Sequence, residues 1–498
     1  MRPSSVCVPR RRRRALATRR ARRAQEKGEC MVESFERRLD ARLVASIVAA
    51  GSLSFCAVVF ETAMNVALPA LMEEFAVDTA TIQWITSGYL LMLAVMIPTF
   101  PFLKARFALR RLFVCAVLLF LAGTLLCAAA PAFPVLLMGR VVQGVSTGIA
   151  IPLMFSIVVD QVPHEKMGLM MGVASLITAV APAVGPSYGG AVMELAGWRM
   201  VFLCLVPVTV LSLSIGSACV RQATRVDAGA RFDLVGFVLL GASFFALIYG
   251  INAASYEGAS AMVLAVFAAF VVALGVFVAH ARACDHPLID MHLFAFPAFS
   301  ASAAVIAAVS FAILGFAYLI PNYAQLALGA SASLSGTLML PGCALVAVFA
   351  PLGGRLLDRA GARLPIITGM ACLVASVVLY VAFSCALTPF MLGGFYVLFG
   401  IGQGLGFSTT MTNGLGALPE SIRTDGNSVF NTFQQLGGSI GVSAVTAVVG
   451  AFQGASQNIV VSTVEGGYWA FVLLAAVVAL AALCSVLVLF VFSRKGRA

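Results

Sequence analysis

The sequence is short of charge. Only 11% of its 498 residues are Asp, Glu, Lys or Arg, less than half the ~25% usual in soluble domains, which excludes a large soluble core. The 4 histidines and 3 tryptophans are few. The 12 cysteines are scattered singly with no Cys-x-x-Cys, so they read as small buried residues rather than disulfides or zinc ligands. There is no phosphate loop with its lysine and no nucleophile–base constellation, which sets aside an ATP-driven pump and an enzyme. The first thirty residues hold no apolar core long enough for a signal peptide.

What is present is apolar, 61% of the chain. It falls into fourteen runs at roughly 43–70, 82–102, 112–130, 135–159, 167–192, 200–220, 234–254, 260–280, 297–320, 334–354, 365–386, 389–413, 426–452 and 468–492. A bilayer-spanning helix needs about 20 residues, so the chain reads as an all-α polytopic membrane protein. The net charge of +11 is no nucleic-acid signal, because 14 of the 32 Lys and Arg residues lie in the first 42 positions. That basic segment, with Arg10 to Arg14, Arg19, Arg20, Arg22 and Arg23, has two readings. It is either a cytoplasmic tail touching anionic lipid or a stretch ahead of a true start at Met31.

Positive charge orients the spans. Lys104, Arg106, Arg110 and Arg111 follow the second span, Lys166 the fourth, Arg221, Arg225 and Arg231 the sixth, and Arg282 the eighth. Arg355, Arg359 and Arg363, then Arg423, and finally Arg494, Lys495 and Arg497 continue the series after even-numbered spans. After odd-numbered spans there is only Arg199. Both termini are therefore expected in the cytoplasm.

A faint repeat runs through the chain. Gln143-Gly144 recurs as Gln403-Gly404 at an offset of 260, and the loop Leu103 to Arg111 resembles Leu356 to Arg363 at 253. Pro69 and Pro321 lie 252 apart. The expected division is a basic tail (1–42), a six-helix bundle (43–220), a linker with two extra spans (221–296), a second six-helix bundle (297–492) and a short tail (493–498). Repeats of this kind suit transporters that rock two halves about a midplane site.

Glu61 is the one acid deep in the first span, between an uncharged run from Leu43 to Phe60 and the next charge at Glu73. Placing it there costs roughly 3 kcal/mol on insertion scales, which marks it as a functional candidate. Counting from Ala70 puts it about 13 Å deep, and counting from Val135 puts Arg140 of the fourth span about 8 Å deep on the same side. Burial favours the neutral acid and a nearby arginine favours the carboxylate. A group held between those influences can take up and release a proton and so couple a proton gradient to a conformational change. The alternative is a permanent Glu61–Arg140 ion pair that fixes packing.

In the fifth span, Ala181 to Gly190 reads A-P-A-V-G-P-S-Y-G-G. Pro182 and Pro186 remove helical hydrogen bonds, and Gly185, Gly189 and Gly190 allow another backbone close, which suits either a moving contact or plain packing. In G-R-L-L-D-R-A-G-A-R (Gly354 to Arg363), Asp358, Arg359 and Arg363 with Gly354 and Gly361 read as a cytoplasmic charge latch or as topology-setting charge. Gly400, Gly402, Gly404 and Gly406 lie in an apolar span with no preceding strand and read as helix packing. His280, His286 and His292, interleaved with Cys284, Asp285, Pro287 and Asp290, read as a membrane-edge connector, so no metal is expected. Polar candidates for a central cavity are Asn65, Gln83, Gln143, Asn322, Tyr323, Gln325, Asn431, Gln434 and Gln435; of these Asn65, Gln143, Asn322, Gln325, Asn431 and Gln435 are taken as substrate-binding.

Three motifs carry a family resemblance over Arg42 to Phe492. E-T-A-M-N-V-A-L-P (Glu61 to Pro69), G-R-V-V-Q-G (Gly139 to Gly144) and G-P-S-Y-G-G (Gly185 to Gly190) resemble those of the fourteen-helix drug–proton antiporters of the major facilitator superfamily. Gln83 to Leu91 and Arg106 to Phe113 are similar to the lincomycin-resistance type. The resemblance implies the major facilitator fold, outward proton-coupled export, and a proton-transfer role for Arg140. Ala105 and Ala108 stand where the family's cytoplasmic motif carries aspartate and glycine, which puts a first-half charge latch in doubt. It also implies a bacterial plasma membrane, no cofactor beyond the proton gradient, and a monomer. The expected partners are a small-molecule substrate, protons and the lipid bilayer, with no nucleic acid; nothing in the sequence identifies a periplasmic or outer-membrane adaptor. A dedicated exporter of one metabolite, siderophore or antibiotic, and an uptake symporter, are the alternatives.

Overall fold

The computed structural model describes residues 40–489 apart from 223–228, 230, 259, 420, 421, 456, 457 and 488. The basic N-terminal segment, Arg225 and the last basic cluster lie outside the described residues. Secondary structure among the described residues is entirely helical. The long helices are α1 (Ala41–Phe75), α2 (Thr79–Met96), α3 (Leu109–Ala128), α4 (Phe133–Gln161), α5 (His164–Ala196), α6 (Val206–Cys219) and α7 (Leu234–Glu257). They continue as α8 (Ala261–Ala283), α9 (Pro297–Leu326), α10 (Leu340–Ala360), α11 (Arg363–Ala382), α12 (Pro389–Gly416), α13 (Arg423–Ala455) and α14 (Ile459–Leu487). Thirteen helical stretches among the described residues are long and apolar enough to cross a membrane, and α5, 33 residues long, takes the place of the fifth expected span. This is a multi-pass membrane protein.

Local chemistry sets the ends. Asp40 and Asp78 cap α1 and α2 by accepting from the Leu43 and Thr81 N–H groups at 2.8 Å each. Several boundaries differ from expectation; α9, for one, runs through Pro321 to Leu326 and α10 to Ala360, each six residues past the expected end. α1 runs through Pro69 to Phe75 rather than stopping near residue 70. The second span is α2 extended by a 3-10 turn at Pro98 and a short helix, Phe100–Arg106. α14 starts at Ile459 instead of near 468, because Asn458 accepts from the Val460 and Val461 N–H groups and nucleates the helix before Glu465.

Helices α1–α6 and α9–α14 follow one packing scheme. α1 packs on α4, α5 and α6, and α9 on α12, α13 and α14. α2 and α3 both pack on α4, as α10 and α11 pack on α12. The two sets meet where α2 packs on α13, α5 on α10, and α1 on α9. α7 packs across α2 and α13, and α8 rests on α7; Val271 and Val272 of α8 are 64% exposed, as expected of a lipid-facing surface. Hydrogen bonds between the sets gather toward the Phe75 end, opposite the Asp40 end. They include Asn322 Nδ2 to the Asn65 carbonyl (3.3 Å), Gln325 Nε2 to the Val66 carbonyl (3.2 Å) and Ser187 Oγ to the Gly336 carbonyl (3.1 Å).

Candidate functional site

Glu61 is 5% exposed in the middle of α1. Phe60 beside it stacks on Phe120 of α3 at 5.5 Å, which fixes the register of this stretch in the first helix set. Across the junction, Gln435 of α13 is buried and presents its side chain to Glu61 as a hydrogen-bonding partner. The acid therefore sits where the two helix sets meet.

Arg140 of α4 is fully buried. Its Nε donates to the Ile85 carbonyl (3.2 Å), its Nη1 donates to Gln143 Oε1 (2.9 Å), and its guanidinium lies 4.2 Å over the Tyr89 ring. Tyr89 in turn donates to the Ala57 carbonyl (3.0 Å) and Thr147 Oγ1 (2.9 Å). Among the described residues Arg140 Nη2 has no hydrogen-bond partner. Within 4.0 Å no ion pair joins Arg140 to Glu61, so the permanent pair weighed from sequence is not formed. Arg140 instead directs its guanidinium to Ile85, Gln143 and Tyr89. Tyr89 stands within electrostatic reach of both charges.

The expected substrate residues divide. Asn65 accepts from Thr86 Oγ1 (3.1 Å) and, with Asn322, Gln325 and Gln435, lies at the α1–α9–α13 junction near Glu61. Asn431 lies one turn from Gln435, its Nδ2 donating to the Asn427 carbonyl (2.9 Å). Gln143 is not part of this group. Both ends of its amide are used inside the first helix set, accepting from Arg140 and donating to Thr124 Oγ1 (2.9 Å), so it positions Arg140 rather than facing a cavity.

The α5 motif works against α1. Pro186 has no N–H, so the Pro182 carbonyl loses its helical partner; Thr62 Oγ1, next to Glu61, lies 3.4 Å from that oxygen and shares its one proton among it and the Val58 and Val59 carbonyls. A methyl group at Gly189 would meet the Ala63 carbonyl at 2.6 Å, one at Gly185 would strike Thr62, and one at Gly190 would strike the Ala332 carbonyl of the other helix set. α5 is thus wedged between the Glu61 segment and the short helix Ala332–Thr337.

At the Asp40 end the two halves differ. Asp358 and Arg359 are exposed on the last turn of α10 and form no ion pair with a described residue, while Gly361 ends the helix at φ +76°. In the first half Lys104 pairs with Asp160 of α4 at 2.7 Å, and Ser156 Oγ donates to the same carboxylate at 3.0 Å. Sequence reading missed that pair, whose signal was an acid at the end of the fourth span facing the basic loop. It also missed a tie at the α7 start. Asp233 accepts from the Gly236 and Leu288 N–H groups and lies 2.7 Å from His280 Nε2. Burial raises this carboxyl, but those hydrogen bonds outweigh burial and hold it below the usual carboxylate range. Cys284 lies beside Asp233 and His280, yet the Asp233 oxygens are already committed, and the cluster joins α7, α8 and the connector.

Long apolar helices in two matching sets, with a buried acid at their junction, are the architecture of a polytopic membrane transporter. The family model of the Major Facilitator Superfamily matches residues 50–442, and the chain belongs to that family. It is 31% identical over 425 residues to the lincomycin resistance protein LmrB of Listeria monocytogenes, covering 85% of this chain and 88% of that one. It is 30% identical over 425 residues to the multidrug resistance protein B homolog of Mycobacterium tuberculosis, covering 84% and 78%. In fold it matches the crystal structure of a bacterial homolog to the human lysosomal transporter Spinster, inward-facing and unoccupied, with a TM-score of 0.66 at 17% identity over 91% of this chain and 98% of that one.

Proposed function

We propose that this transporter exports amphipathic small molecules across the plasma membrane in exchange for protons, with both termini in the cytoplasm. The observation that carries the reading is the carboxylate of Glu61, buried where α1 meets α13 and not locked to a cation. A buried acid without a salt bridge can change protonation between two states of the protein, and a proton that favours one state shifts the balance between them. Arg140, held by Ile85, Gln143 and Tyr89, supplies a positive charge that favours release of that proton. Asn65, Asn322, Gln325, Asn431 and Gln435 are proposed to meet the substrate when the halves part, and the α5 prolines and glycines to let α5 shift against α1. Helices α1–α6 and α9–α14 are the proposed moving bodies of a monomer, with no cofactor beyond the proton gradient. The names of the curated relatives support a drug-like substrate class.

A panel of structurally unrelated dyes and antibiotics, followed in everted vesicles with and without an uncoupler, tests this. Uncoupler-sensitive export of several panel members is expected. Gradient-driven movement out of the vesicle lumen toward the cytoplasmic face contradicts it, as does transport of a single compound.

A further inference from the structure

Along the α2–α13 contact, side chains that can hydrogen-bond form a row with helical spacing. On α2 they are Thr79, Gln83 and Ser87, one turn apart; on α13 they are Gln453, Thr446, Ser443 and Ser439, ending one turn short of Gln435. The helices run antiparallel, and two contacts fix their register. Thr79 Oγ1 donates to Gln453 Oε1 at 3.0 Å, and Ser87 Oγ lies 2.8 Å from Ser443 Oγ, where either hydroxyl can be the donor. Ser439 Oγ adds a long contact to the Ser87 carbonyl at 3.5 Å. Gln83 must then lie between these two levels, beside Thr446.

Both Gln83 and Thr446 are buried, at 0% and 1% exposure, and neither the Gln83 Nε2 and Oε1 atoms nor the Thr446 hydroxyl has a hydrogen-bond partner among the described residues. Leaving such groups dry is costly, and buried polar atoms are normally satisfied by protein or by ordered water. A primary amide and a hydroxyl at neighbouring levels of one helix contact offer polar partners of the kind a buried water requires. The ends of the row differ in a directional way. Thr79 and Gln453 at the Phe75 end are partly exposed, whereas Ser87, Ser443 and Ser439 are fully buried and Gln435 faces Glu61. α7 packs over both helices, with Phe245 against Trp84 at 5.7 Å, and so screens the row from the bilayer.

We propose that this seam is a hydrated proton relay connecting the Phe75 face of the protein to Glu61. A hydronium at the Thr79–Gln453 mouth gives up one proton. Each hydroxyl or water along the row accepts a proton on oxygen and passes another on, and the Glu61 carboxylate takes the last and becomes the neutral acid. The amides of Gln83 and Gln435 do not carry the proton; they orient the water that does. The relay rests on the reading of Glu61 as the coupling group, and it makes Gln83 a positioning residue and Thr446 a relay hydroxyl for a proton supplied from one face only.

The test uses the full chain in proteoliposomes with ethidium as the transported probe. Gln83→Leu and Thr446→Val remove the polar atoms at similar volume. Each is measured for efflux driven by a proton gradient and for ethidium counterflow at equal pH on both sides, which needs the halves to alternate but no proton to cross. The relay predicts gradient-driven efflux slowed at least about tenfold, a barrier change near 1.4 kcal/mol, with counterflow within about twofold of wild type. Wild-type efflux in both variants overturns the relay, and so does an equal loss of efflux and counterflow, which is the mark of a purely mechanical contact. Glu61→Gln run in parallel separates the two claims. If that variant keeps gradient-driven efflux, the reading of Glu61 fails and the relay loses its destination; if only the seam variants keep it, the relay alone fails.

Discussion

Arg140 and Gly400 hold matching places, 260 positions apart, on the fourth helix of each six-helix set. Each precedes a Gln-Gly pair by three residues, and each lies where that helix meets the second helix of its set. In the first set the place holds a buried guanidinium that reaches the Ile85 carbonyl and the Tyr89 ring of α2. In the second set α12 comes against α10 so closely that a methyl group at Gly400 would strike the Gly342 carbonyl, with its carbon at 2.6 Å. One repeat holds a buried charge at this place, and the other has close backbone contact. The lesson is that shared packing does not require shared chemistry: the buried charges Glu61 and Arg140 lie in the first set, and at the matching place the second set has close backbone contact.

That contrast can be broken in several ways. The largest effect is expected at Arg140. Arg140→Ala should lower gradient-driven efflux on the order of a hundredfold or more, the range in which a positioned proton-transfer group acts. Arg140→Lys should keep part of the rate, because it retains the charge and loses only the fork that holds Ile85 and Gln143. Efflux assays at matched expression check both, and near-wild-type transport by the alanine variant would dissolve the contrast.

At Gly400 the expected effect is on folding. Gly400→Ala forces an extra methyl into backbone contact and should destabilise by about 1–3 kcal/mol, read as a lower midpoint in thermal unfolding of the detergent-solubilised protein. The smallest effect concerns the loops after the second helix of each set. Lys104→Ala breaks a partly buried ion pair and should cost about 0.2–1 kcal/mol, whereas Asp358→Asn, which breaks no ion pair in this structure, should leave thermal stability unchanged. Equal losses at both positions would show that the two loops are alike after all.

The helical count, the repeat and the buried acid were legible because apolar runs and isolated charges leave strong marks in a sequence. The helix ends were less so. Pro69 looks like a stop, yet a proline can be carried inside a membrane helix when neighbours satisfy the freed groups. The depth count for Glu61 depended on that stop, yet Glu61 and Arg140 still lie within electrostatic reach of each other and of Tyr89. Gln143 looked like a cavity residue because its type is polar, but polarity does not say which neighbour it serves, and its neighbour is Arg140. The Lys104–Asp160 pair and the α2–α13 seam join residues far apart in the chain, where only the packing of the helices reveals them.

The central claim is that Glu61 carries the coupled proton. Its most direct test is proton release from the purified protein in lightly buffered detergent when ethidium is added, compared between wild type and Glu61→Gln with folding checked by thermal unfolding. The account predicts release by the wild type and none by the folded variant. Undiminished release from Glu61→Gln would contradict it.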